Sequence, residues 1–205
     1  MTFFRRFGNI GADRKEVLAL DIPKTAYMLI SSDFGQLVLV WRSALRAPRV
    51  LRVLLPGEKK QVERALRDGF PEAVRKSHRD IEIICTQIQA FLQGEPVAFS
   101  LERLDFGICN DFQRRVLKGE AKIPRGRVST YSRLAEKIGA SGAARAVGNA
   151  LAQNPFPVII PCHRTIRAHG RLGGFQGGVT LKRALLEMEG VDFDEKGRVP
   201  GRFLW

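Results

Sequence analysis

Cys162 and His163 are neighbours in the run Pro161-Cys162-His163-Arg164, directly behind the apolar segment Phe156-Pro157-Val158-Ile159-Ile160. A thiol attacks carbon as its anion, and a free cysteine, with a pKa of about 8.5, is only a few per cent thiolate near neutrality. An adjacent imidazole is a base able to take that proton, so the pair suits nucleophilic attack on an electrophilic carbon. A second group able to assist is Glu189, at the end of a helical pattern over Thr180–Glu189 whose buried stripe is Leu181, Leu185 and Met188. Carbonyl ends of helices disfavour anions, so a carboxylate turned inward there needs a partner. On residue types alone, Cys162 is either such a nucleophile or an inert core cysteine, and Glu189 either its distant partner or a frayed surface residue.

The run Phe156–Ile160 reads as a buried strand that delivers Cys162 at its end. Upstream, Thr130 is placed to cap a helix over Tyr131–Ile138, Gly139 to end it, and Ser141 to cap a second helix through Gln153. Two short helices joined by a turn of about three residues form a helix-turn-helix. In the second, Ala144, Val147 and Leu151 make the inward stripe, while Ala146, Asn149, Ala150 and Gln153 face outward with Arg145 as the one long arm. So small and uncharged a face suits close approach to DNA better than reading base edges, although a plain alanine-rich surface helix has the same pattern. Asn154, before Pro155, is a natural helix end. Downstream, Gly173-Gly174-Phe175-Gln176-Gly177-Gly178 forms a glycine-rich loop that lets backbone approach a planar ligand.

The N-terminal half carries no such groups. Strands are expected at Tyr27–Ser31 and Leu37–Trp41 around a hairpin, then at Arg49–Leu55, with helices over Glu58–Asp68 and Pro71–Leu92 and a short strand at Val97–Leu101. Asp111 is placed to cap a helix running to about Lys118 with Phe112, Val116 and Leu117 inward. This pattern predicts two domains: residues 1–105, α/β with a small antiparallel sheet, and residues 106–205, mostly α with a winged-helix-like helix-turn-helix.

The 205 residues are 44% hydrophobic, which permits a packed core, and carry a formal net charge of +13, which favours a polyanionic partner. No apolar run reaches the roughly 20 residues that cross a bilayer, and the first residues lack a secretory pattern, so no membrane partner is expected. Three separated cysteines, Cys85, Cys109 and Cys162, suit reduced thiols in a cytoplasmic setting and match no familiar zinc spacing, so no metal is expected.

Taken together, the helix-turn-helix containing Ala144-Arg145-Ala146-Val147-Gly148-Asn149, the Pro-Cys-His-Arg run and the glycine-rich loop closely resemble the O6-alkylguanine-DNA alkyltransferases, over roughly Phe112–Glu189. The resemblance implies a DNA repair protein acting on double-stranded DNA that contains O6-alkylguanine, and also O4-alkylthymine. It would flip the damaged nucleotide and move its alkyl group to Cys162 once per molecule, as a monomer needing no cofactor. It implies a relay in which His163 takes the thiol proton through a water while Glu189 orients His163. It implies that Arg145 fills the gap left by the flipped base and that Tyr131 presses on the neighbouring phosphate. It places Ala144, Ala146 and Asn149 on the DNA-facing helix, Asn154 as a hinge to the active-site strand, and Pro161, Phe175, Gln176 and Gly177 around the guanine. The family pattern has a tyrosine and a serine where this chain has Phe175 and Gln176, which alters the contacts expected at the guanine edges. A location in the cytoplasm follows, nucleoid-associated or, in a eukaryote, nuclear. Relatives that bind alkylated DNA without repairing it lack the cysteine; a non-catalytic recognition protein of the same fold is the alternative.

Overall fold

Asp33 and Phe34 form the turn between β1 (Ala26–Ser32) and β2 (Gly35–Arg42), which pair antiparallel with Ser32 opposite Gly35. The Ser32 hydroxyl donates to the Gly35 carbonyl at 2.8 Å, and Gly35 takes the positive φ of 107° that closes the hairpin. The computed structural model describes residues 25–44, 47–57 and 59–205. The first twenty residues lie outside that range, as does Glu58, where the first helix was expected to begin.

The sheet has the order β3-β2-β1-β4, with β3 at Arg49–Gly57 and β4 at Val74–Arg75. Because β4 runs parallel to β1, the sheet is mixed rather than wholly antiparallel. β4 occupies part of the segment expected to start the second helix. Arg79 instead begins α2 (Arg79–Leu92), whose N-cap is His78, with Nδ1 accepting from the Asp80 N–H at 3.1 Å. β2 is central and buried on both faces: Leu37, Leu39 and Trp41 pack in the main core toward α2, while Val38 and Val40 pack with Val62 and Leu66 of α1 (Lys59–Gly69).

Backbone bonds cover the free edge of β3. Val50 donates to Arg103 O at 2.8 Å, Asp105 N donates to Val50 O at 2.9 Å, and Val53 donates to Pro155 O at 2.8 Å. Val97–Leu101, expected as a strand, belongs to no strand of the sheet. The main core cluster is continuous from Ala26 in β1 to Leu185 near the C-terminus, so residues on both sides of position 105 share it.

α3 (Asp111–Glu120) is capped by Asn110 rather than Asp111, through Oδ1 accepting from Gln113 N–H at 2.8 Å. Thr130 caps α4 (Tyr131–Lys137), its hydroxyl accepting from Arg133 N–H at 3.2 Å, and Gly139 follows with φ 70°. α5 (Ala144–Ala152) starts later than expected, with Ala143 at its N-cap and no side-chain bond there, so Ser141 is not the cap. Ala150 is buried with Val147 and Leu151 rather than facing outward. A parallel pair, β5 (Ser129–Thr130) with β6 (Thr165–Ile166), ties the start of α4 to the residues just after Cys162. α6 spans Gly178–Met188 with Glu189 as its C-cap; its buried positions are Lys182, Leu185 and Leu186, while Leu181 and Met188 are half-buried.

Candidate active site

Phe156–Ile160 is buried as expected but is a tight turn, not a strand. The Ile160 N–H donates to Phe156 O at 2.8 Å, and Val158 at its tip has φ 73°. A β-branched residue there costs on the order of 1–3 kcal/mol and persists only where its surroundings impose it. Asn154 imposes it: its Oδ1 accepts from Phe156 N–H at 2.9 Å, and its Nδ2 donates to Ile160 O at 3.0 Å and to the Cys162 Sγ at 3.1 Å. One buried amide thus links the end of α5 to the turn and to the thiol.

Cys162, His163 and Arg164 form a single 3-10 turn and are all buried. Glu189 meets them from the end of α6. Its Oε1 lies 2.9 Å from His163 Nε2, and Arg164 grips the carboxylate with Nε at 2.9 Å from Oε2 and Nη2 at 2.8 Å from Oε1. Arg164 Nη1 donates to Ile123 O at 2.7 Å, and the Gly126 N–H donates to Glu189 Oε2 at 3.3 Å. This accounts for an anion at the unfavourable end of a helix. Burial works against the charged carboxylate, but the bonds from His163 and Arg164 outweigh it and bring its pKa down to about 2. An ionised carboxylate cannot donate, so His163 Nε2 carries the proton and Nδ1 holds a lone pair. Nδ1 has no hydrogen-bond partner among the described residues, and burial holds the imidazole pKa below its ordinary value. His163 is therefore a neutral base with its acceptor nitrogen free.

The thiol itself is protonated at rest. Burial pushes the Cys162 pKa up to about 12, against the opposing bond from Asn154. Nearby lies a buried polar group that the charged residue types concealed in the sequence. Thr165 Oγ1 donates to Glu120 Oε2 at 2.6 Å, and Lys182 Nζ donates to Thr165 O at 2.7 Å. Burial raises Glu120 to about 8 despite the Thr165 bond and the charges of Lys182 and Arg164; burial likewise lowers Lys182 to about 8. Glu120 thus holds its proton to higher pH folded than unfolded. The stability it contributes is full below the ordinary carboxyl pKa of 4.5 and is lost as pH rises through about 8. Glu120→Gln, which keeps an acceptor for Thr165, is expected to match the parent in thermal midpoint near pH 4 and to exceed it by several degrees at pH 8.5, measured by calorimetry across that range.

Cys162 opens into a cavity of about 580 Å³, within the ordinary range for small-molecule sites. Tyr131, Ala144 and Arg145 line it on the helix-turn-helix side and Arg167, Phe175 and Gln176 on the other. Phe175 stands edge-on to His163 with ring centroids 6.3 Å apart. Gln176 has its amide nitrogen engaged: Nε2 donates to Ala152 O at 2.8 Å and Asn154 O at 2.9 Å, closing carbonyls left open at the end of α5. Ala146 and Asn149 are exposed on α5 outside the cavity lining, and Pro161 lines a separate cavity. Gly177 is not in the lining either; a Cβ there would meet Leu181 Cδ2 at 2.5 Å, so it allows loop and helix to pack. Cys85 and Cys109 are buried, free, and raised in pKa chiefly by burial.

Residues 111–191 match the family model described as 6-O-methylguanine DNA methyltransferase, DNA binding domain. The methylated-DNA–protein-cysteine methyltransferase of Methanothermobacter thermautotrophicus is 48% identical over 129 residues, covering 60% of this chain and 72% of that protein. The protein of the same name from Mycolicibacterium paratuberculosis is 37% identical over 163 residues, covering 80% of this chain and 91% of its own length. The chain belongs to the methylated-DNA–protein-cysteine methyltransferase family. Among solved structures, the Mycobacterium tuberculosis O6-methylguanine methyltransferase superposes with a TM-score of 0.63 at 33% identity, covering 86% of this chain and 96% of that one. The M. tuberculosis member solved in complex with DNA gives 0.63 at 34% identity, covering 80% and 92%. Family membership makes the chain a methylated-DNA–protein-cysteine methyltransferase, and the matched DNA-binding domain contains the residues that line the cavity.

Proposed function

We propose that the chain repairs O6-alkylguanine in duplex DNA by moving the alkyl group to Cys162, once per molecule. The observation that carries this reading is the neutral His163: Nε2–H fixed on ionised Glu189 and Nδ1 free, in the same 3-10 turn as Cys162, which lines an open cavity. As the alkylated base enters, the thiol proton passes to His163 and the sulfur attacks the alkyl carbon. The carbon–sulfur bond forms as the bond from carbon to guanine O6 breaks, and the leaving guanine takes up a proton in exchange for the one His163 accepted, which His163 then gives back. Keeping the thiol neutral until then protects it from oxidation and other electrophiles. The product is a thioether, which offers no good leaving group, so the site does not regenerate.

The base reaches a buried sulfur only by leaving the duplex stack. Arg145 and Tyr131 sit at the mouth of the cavity, on the helices that would face DNA. We assign Arg145 to the vacated stack and Tyr131 to the phosphate beside it, with Ala144, Ala146 and Asn149 giving α5 a face flat enough to enter a minor groove. Asn154 couples that helix to the sulfur. In a titration of a fixed amount of protein with duplex carrying one O6-methylguanine, repaired guanine is expected to plateau at one per protein, whatever the incubation time. A yield that keeps rising past one contradicts a self-alkylating mechanism.

A further inference from the structure

Beside the Cys162 cavity, and sharing Arg167 and Gly174 with it, lies a second cleft of about 790 Å³. Five cations line it, Arg167, Arg171, Arg183, Lys196 and Arg198, with no carboxylate among the lining residues. They come from three places: the segment between β6 and the glycine-rich loop, the exposed side of α6, and the turn after α6.

Backbone bonds fix the segments that carry these cations. Asp194 Oδ1 accepts from the Lys196 and Arg198 N–H groups at 2.9 and 2.8 Å, and Gly197 has φ 67°, so this carboxylate oxygen is spent on building the turn. Val199 N donates to Gly170 O at 2.9 Å and Arg167 N to Arg171 O at 2.7 Å, which sews the turn to the loop. A Cβ at Gly170 would meet Val199 O at 2.4 Å, so the two chains touch at backbone distance. Arg183 is occupied, with Nε 2.8 Å from Glu187 Oε1 and its guanidinium 4.4 Å above the Phe193 ring. Arg167, Arg171, Lys196 and Arg198 make no ion pair among the described residues, unlike Arg64, Arg114 and Arg202, which face Asp68, Asp111 and Asp192. Four cations without an ion pair among the described residues also line a cleft around Arg115, Lys118, Lys122 and Lys137, but of the two clefts only this one shares residues, Arg167 and Gly174, with the Cys162 cavity.

We infer that this cleft grips the phosphodiester backbone of the strand whose base occupies the Cys162 cavity, extending the DNA interface beyond α4 and α5. The inference rests on the function proposed above. A strand feeding one nucleotide into the cavity continues past its rim, and the rim residue Arg167 is also the first cation of the cleft. The contact is to phosphate alone, so it adds affinity without base preference.

The test compares the full-length protein with the double variant Arg171→Gln/Arg198→Gln. A second double variant, Arg64→Gln/Arg75→Gln, removes the same charge from exposed positions on α1 and β4. Binding to a 20-base-pair duplex with one O6-methylguanine is followed from 50 to 200 mM salt. Each lost phosphate contact lowers the slope of log K against log salt by about 0.9, so the cleft variant is expected to lose nearly two from its slope and the control nothing. Equal slopes in parent and cleft variant, or equal losses in both variants, overturn the inference. Parent protein that binds the duplex but leaves the lesion intact contradicts the proposed function instead, and the two failures are read separately.

Discussion

Cys162→Ser is expected to abolish alkyl transfer, with the rate falling by at least about 10⁴-fold while duplex affinity stays within twofold of the parent. A serine hydroxyl is a far weaker nucleophile than a thiol, and His163, held neutral with a lowered pKa, is too weak a base to make an alkoxide. The fold tolerates the change: the Asn154 amide that donates to Sγ at 3.1 Å finds an oxygen acceptor instead. Measured by lesion loss in single-turnover conditions, residual transfer within tenfold of the parent would move the nucleophile to another residue. Cys85 and Cys109 are poor candidates, since both are buried and neither lines the cavity.

Glu189→Ala is expected to be the most damaging single change to stability, costing about 3–5 kcal/mol in urea unfolding, because it strands the buried Arg164 guanidinium without its anion. Glu189→Gln keeps the volume and one acceptor, so it costs less stability than alanine. It still costs some, because its amide nitrogen faces the Arg164 or Gly126 donors and the ion pair is lost. Transfer is therefore compared on folded protein. The amide oxygen still accepts from His163, but the negative charge that supports the imidazolium is gone, and transfer near pH 7 is expected to fall about 10²- to 10⁴-fold. The deficit should narrow as pH rises and the thiol ionises unaided, so that log rate climbs with pH in the variant well beyond where the parent levels off. A purely structural glutamate predicts parallel pH profiles. The parent also owes stability to this carboxylate above its ordinary pKa of 4.5, and that contribution is lost as pH falls towards 2, a loss the amide variant does not show.

The meeting of Cys162, His163 and Glu189 was legible because two of them are adjacent in sequence and the third ends a helix with a clear apolar stripe. Arg164 stood in the same motif, but its grip on Glu189 depends on a fold that brings positions 25 apart into contact. Glu120 and Lys182 were passed over because charged residues default to the surface. Periodicity did carry the signal: Glu120 lies four and three residues past Val116 and Leu117, and Lys182 three and four before Leu185 and Leu186, all buried. The segment Phe156–Ile160 misled for a different reason. Its apolar run is that of a buried strand, yet Asn154 supplies the bonds a ladder would have given, and Val158 takes a φ that its side chain disfavours. The two-residue β4 was hidden inside a longer helical pattern, and it turned an antiparallel sheet into a mixed one. Gln176 carries a role its sequence position did not show: its amide nitrogen closes the end of α5.

The most direct test of self-alkylation is intact and peptide mass spectrometry after mixing the protein with duplex carrying a single O6-methylguanine. A gain of one methylene unit, confined to the peptide containing Cys162 and stopping at one per chain with excess DNA, is the predicted result. Tight binding of the lesion duplex with no change in protein mass would contradict it.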